Sequence, residues 1–130
     1  MLTAGRFPAD PHVLDGAVML IETSEMLPSA SEVGWILRAM GERGLLAAVD
    51  AVLVARPPAS SLEDRRDAPA RARFRAQQRD AVVETVGRYN PEAVICVGVP
   101  FGHTRPQWIV PHGGTMTVDG ASHRITASYA

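Results

Sequence analysis

The chain has 130 residues, enough for one domain or for one domain of something larger, and at this size it buries roughly two thirds of its unfolded surface without staples. It is 46% hydrophobic and 21% charged with a formal net charge of −1, so no basic field points to a nucleic acid polymer and no acidic tail is present. The single cysteine, Cys96, excludes an internal disulfide framework and fits a reducing, cytoplasmic setting.

No secretory apolar stretch follows Met1, because Pro8, Asp10 and Pro11 interrupt the opening residues. Residues 1–16 therefore read as an irregular lead-in to a single α/β domain over 17–130. Residues 17–22 (AVMLIE) form a short apolar run, the pattern of a buried strand, and AVMLI is far too short to cross a membrane. Ser29 and Glu32 then stand at capping-box spacing, each able to satisfy a free backbone donor at a helix start. Behind them Val33, Ile36, Leu37 and Met40 share one helical face, and Gly44 is placed to stop the helix.

A second buried strand is expected over 50–55 (DAVLVA), closed by Pro57-Pro58, with a polar loop over 59–69. A long helix follows from about Ala70 to Tyr89, its apolar stripe carried by Phe74, Gln78, Ala81, Val82, Thr85, Val86 and Tyr89. Arg71, Arg73, Arg75 and Arg79 lie mostly off that stripe, as on a solvated face. Asn90-Pro91 ends the helix, and AVICVGV (93–99) reads as a third buried strand with Cys96 as a small core residue. Beyond it WIVP, TMTVDG and SHRITA read as short strands, with Asp119-Gly120 signalling a hairpin. The order β-α-β-α-β argues for a parallel sheet with crossover helices, finished by an antiparallel β tail.

In α/β sheets, ligands and catalytic groups gather outside the carboxyl ends of the parallel strands. Glu22 ends the first strand, Arg56 the second, and His103 lies a few residues past the third, in a loop stiffened by three prolines and three glycines between 99 and 114. A carboxylate and an imidazole at one sheet edge make the orienter and base of a nucleophilic triad. The same residues also suit a solvated strand end and a loop histidine bonded to backbone. No serine lies in the sharp strand-to-helix turn of a G-x-S-x-G nucleophile, and Cys96 sits mid-strand. All thirteen basic residues are arginine, which excludes lysine Schiff-base chemistry. His12, His103, His112 and His123 show no metal-ligand spacing, and Gly113-Gly114 lacks the Lys of a phosphate loop.

The stretch VPFGHTRPQWIVPHGG resembles the histidine loop of the LD-carboxypeptidase / microcin C immunity protein family of serine peptidases. GAVMLIETSEMLPSASEVGWILRAMGERGLL resembles the family segment that carries the triad glutamate, and DAVLVARP the strand after it. The resemblance implies a swivelling β/α C-terminal domain in which Glu22 orients and His103 is the general base. By the same resemblance, the serine and its oxyanion hole belong to an N-terminal nucleophile domain outside this chain. The activity implied is metal- and cofactor-free hydrolysis of an amide, in cytoplasmic murein tetrapeptides or in a peptide–nucleotide antibiotic. Arg56, Arg105 and Trp108 are the candidate substrate contacts. As partners it implies the N-terminal domain and the peptide or peptide–nucleotide substrate, with a homodimer as an option and neither nucleic acid polymer nor membrane. The alternatives are a stand-alone non-catalytic binding domain and a gene fragment. An exposed apolar docking face would separate the first reading from these.

Overall fold

The computed structural model describes residues 10–129, so the first nine residues of the expected lead-in lie outside it. The rest of the lead-in holds a single 3-10 turn, Pro11–Leu14, whose start is capped by Asp10 through the backbone N–H of His12. Three parallel strands follow, β1 (Ala17–Ile21), β2 (Val49–Ala55) and β3 (Val94–Val99), in spatial order β1-β2-β3. The crossovers are α1 (Ala30–Gly41) and α2 (Ala68–Tyr89), and an antiparallel hairpin, β4 (Met116–Asp119) with β5 (Arg124–Ala127), completes the chain. The mixed α/β architecture agrees with the sequence reading. No helix among the described residues is long and apolar enough to cross a membrane.

Local chemistry explains where the helices begin and end. The Ser29 hydroxyl accepts from the Glu32 backbone N–H at 3.2 Å, and the Glu32 carboxylate accepts from the Ser29 backbone N–H at 2.7 Å, closing the capping box. The Ser29 backbone N–H, and next the Ser29 hydroxyl donating to the same carboxylate at 2.8 Å, hold the Glu32 carboxyl below its usual range. At the other end Leu45 N–H reaches Met40 C=O and Gly44 N–H reaches Gly41 C=O, with Gly44 at φ +76°. This is the glycine stop expected from the sequence, a two-bond closure that needs a left-handed residue. Asp67 caps α2 by accepting from Ala70 N–H at 2.7 Å.

Sequential strand order with both connections of one hand places both helices on the same sheet face. There Val33 and Leu37 of α1 and Val82 and Val86 of α2 meet Val49 and Val52 of β2, with Met19, Ile21 and Ile95 packed around them. The opposite face of the same strands holds Leu53 and Ala55 against Val99 and Phe101, covered by Val110 and by Met116, Val118 and Ile125 of the hairpin. Strand alternation thus divides β2 between two cores. Val52 and Leu53 are each fully buried, and burial of one such side chain stabilises by about 1.5–3 kcal/mol.

Four expectations need correction. Only the central strand β2 is buried along most of its length; β1 is half-buried throughout, and in β3 Val97 and Gly98 are exposed. A three-stranded sheet has two edges, and β1 and β3 occupy them, which leaves Cys96 half-buried against the hairpin-side core. Ile36, expected in the core, is 58% exposed. Val33 and Leu37 take the inward positions one turn apart, which turns Ile36 toward the open edge of β1. The WIVP stretch is irregular rather than a strand, because its backbone serves the loop described next.

Candidate functional site

The carboxyl ends of β1, β2 and β3 deliver Glu22, Arg56 and the loop 100–115 to one edge of the sheet. Phe101, 4% exposed, anchors the loop in the hairpin-side core. Arg56 ties down its middle: Nε donates to Thr104 Oγ1 at 2.8 Å and Nη2 to the Arg105 carbonyl at 2.7 Å. Gln107 Nε2 donates to the Gly102 carbonyl at 2.6 Å, and Trp108 N–H to the Pro100 carbonyl at 2.5 Å. The Arg105-Pro106 peptide bond is cis. A loop so braced presents His103 in one place.

His103 stands between two carboxylates. Its Nδ1 lies 3.4 Å from Glu22 Oε2, and its Nε2 lies 3.5 Å from Glu25 Oε2. These are ion-pair separations, longer than good hydrogen bonds, and the side chains are 42%, 46% and 64% exposed for His103, Glu22 and Glu25. The ring borders an open cleft of about 470 Å3 lined by Glu22, Glu25, Arg105 and Gln107, and no serine side chain lines it.

Gly102 is the close neighbour that makes this packing fit. Its φ is +69°, and a Cβ built on it would fall 1.8 Å from Glu22 Oε2. The backbone at Gly102 therefore abuts the carboxylate that faces His103, and only glycine leaves room there.

The five residues singled out in the sequence are distributed as follows. Glu22, His103 and Arg105 surround one cleft. Arg56 lies under the loop with its guanidinium committed to Thr104 and Arg105, and it also borders a separate apolar cavity of about 300 Å3 between the sheet and α2. Trp108, 53% exposed, faces away from the cleft into a recess beside Leu53, Met116 and Ile125. Three further residues went unnoticed in the sequence. Glu25 shares the motif ETSE with Glu22, Gly102 immediately precedes the histidine, and Gln107 follows a proline; spacing alone gives none of them a partner. Among the described residues, no group of three or more His, Cys, Asp or Glu side chains is placed to hold a metal ion.

The arrangement defines a class: an α/β domain that offers a histidine and a carboxylate at the end of a parallel sheet. Its fold is that of a solved MccF-like protein from Streptococcus pneumoniae in complex with AMP, 24% identical, with a TM-score of 0.70. That match covers 93% of this chain but 31% of the neighbour, so the chain spans under a third of that protein's length. No curated protein matches the sequence. The family model of the LD-carboxypeptidase C-terminal domain matches residues 2–118, and the chain belongs to that family.

Proposed function

We propose that this chain supplies the Glu and His of a Ser-Glu-His triad in an LD-carboxypeptidase-like serine peptidase. Glu22 is the orienter, His103 the general base, and the serine comes from a nucleophile-bearing domain outside these residues. The approach of Glu22 Oε2 to His103 Nδ1, at 3.4 Å beside an open cleft, carries this reading. Orientation through Nδ1 leaves Nε2 for the nucleophile, as triad chemistry requires.

In the assembled enzyme the serine hydroxyl attacks the amide carbonyl while His103 Nε2 takes its proton. The imidazolium then returns that proton to the departing amine nitrogen as the C–N bond breaks. Water, deprotonated by the same nitrogen, attacks the acyl-serine and releases the acid and the free hydroxyl. No metal or cofactor takes part. The substrate is an amide beside a carboxylate-bearing residue, in a cytoplasmic murein tetrapeptide or in a peptide–nucleotide. The AMP held by the MccF-like neighbour is the observation behind the second of these.

The test mixes the purified chain with the nucleophile domain of a family member and assays both substrate types. The chain alone should be silent, the mixture should turn over one substrate, and His103→Ala or Glu22→Ala should abolish that turnover. Hydrolysis by the chain alone at a rate matching the mixture would refute the assignment.

A further inference from the structure

The triad reading leaves Glu25 unexplained, although Glu25 faces the ring nitrogen that the reading assigns to the serine. Its Oε2 lies 3.5 Å from His103 Nε2, the nitrogen that faces the nucleophile, while Glu22 lies on the other side of the ring. An imidazole with its proton on Nδ1, toward Glu22, carries a lone pair at Nε2, and a carboxylate oxygen 3.5 Å away repels that lone pair rather than binding it. Both separations are those of ion pairs, so the two carboxylates attract the ring most strongly when both nitrogens carry protons. In that state the ring is a donor at both ends and accepts nothing.

We infer that Glu25 is a positioning residue that caps Nε2 of His103, and that a serine hydroxyl reaches this nitrogen only by displacing the Glu25 carboxylate. The inference rests on the reading of His103 as the base. The loop context allows the displacement. Glu25 sits between β1 and α1, outside both, and its side chain is 64% exposed. No hydrogen bond or ion pair other than that to His103 engages its carboxylate among the described residues. Met26, next in the chain, is exposed as well, so the segment is open to solvent here. Glu25 and a serine hydroxyl then compete for the same ring nitrogen.

Other charges near the ring do not duplicate this role. Glu22 comes from the end of β1 and faces Nδ1. Arg56, from the end of β2, spends its guanidinium on Thr104 and the Arg105 carbonyl. Arg105 and Gln107 line the cleft from the histidine loop itself, and Gln107 is bonded to the Gly102 carbonyl.

The test is carbethoxylation of the intact chain by diethyl pyrocarbonate, which attacks an unprotonated imidazole nitrogen, read histidine by histidine through peptide mapping. His12, His112 and His123 are internal references for folding and reagent. Glu25→Gln removes the charge at nearly constant size, and Glu25→Ala removes both. In each variant His103 should react about twofold to fivefold faster than in the parent, the range set by a half-exposed ion pair, with the reference histidines unchanged. An unchanged His103 rate in both variants would overturn the cap. A rise in Glu25→Ala alone would also overturn it, because a steric shield rather than a charge would then be responsible. Failure of the two-domain assay alongside a positive carbethoxylation result would sink the peptidase reading and leave the contact standing, so the two claims fail separately.

Discussion

Replacing Gly102 with alanine tests how tightly the loop and the carboxylate are matched. The added Cβ would lie 1.8 Å from Glu22 Oε2, 2.9 Å from its Cδ and 3.0 Å from its Cβ. Tipping the carboxylate relieves only the first of these contacts, so the whole Glu22 side chain must turn away from His103. The backbone adds a second cost, since φ is +69° and an L-residue pays about 1–2 kcal/mol to adopt it. Thermal unfolding of Gly102→Ala should therefore fall by roughly 4–8 °C or somewhat more. In the two-domain amide hydrolysis assay the loss should approach that of disabling a triad carboxylate, about 10⁴-fold. Alanine at 102 with both melting temperature and turnover intact would show that Glu22 does not depend on this close approach, and the geometric argument would fail.

Gly41→Ala places a Cβ 2.3 Å from the Tyr89 ring where α1 crosses α2, and overpacking of this kind should lower stability by about 1–3 kcal/mol in urea titrations. Asn90→Ala strips the Nδ2 bonds to the Leu46 and Val49 carbonyls at 2.9 and 2.8 Å, and the loss should again be about 1–3 kcal/mol by the same measurement. Arg56→Ala frees Thr104 and the Arg105 carbonyl, so amide exchange across 102–107 should quicken while exchange in β2 stays protected. The Asp119 carboxyl is held below its usual range, first by the Ser122 hydroxyl and then by the Ser122 backbone N–H. A depressed carboxyl stabilises the fold above its ordinary range, and that stabilisation is lost as the pH falls through the lowered value. Hairpin amide shifts should therefore hold through mildly acidic pH and change below it, whereas Ser122→Ala should move the change to higher pH.

Much of the architecture was legible because local chemistry decided it. The Ser29–Glu32 box, the Gly44 stop and the break at Asn90 each depend on groups within a few residues of one another, and each appears where the sequence places it. Errors arose where distant packing decided. AVMLI and AVICVGV both look like buried strands, but their burial depends on which strand lies between the other two, and that is β2. WIVP carries strand-forming side chains, yet the Trp108 N–H is taken by Pro100 within the loop and is lost to any sheet. At the site, strand-end position was enough to nominate Glu22 and His103. Position could not reveal that Arg56 would be consumed in bracing the loop, or that Glu25 would close on the far nitrogen. Those outcomes depend on side-chain directions across a loop of special backbone geometry, which composition and spacing do not encode.

The central claim is that Glu22 orients His103 through Nδ1. It is tested most directly by long-range 1H–15N correlation of the imidazole rings, at a pH where the His103 ring is neutral, in the parent chain and in Glu22→Gln. The account predicts a proton on Nδ1 of His103 in the parent and a change in the tautomer balance in the variant, with His12, His112 and His123 unaltered. A parent ring protonated on Nε2, with the same spectrum in Glu22→Gln, would contradict it and return His103 to the status of an ordinary loop histidine.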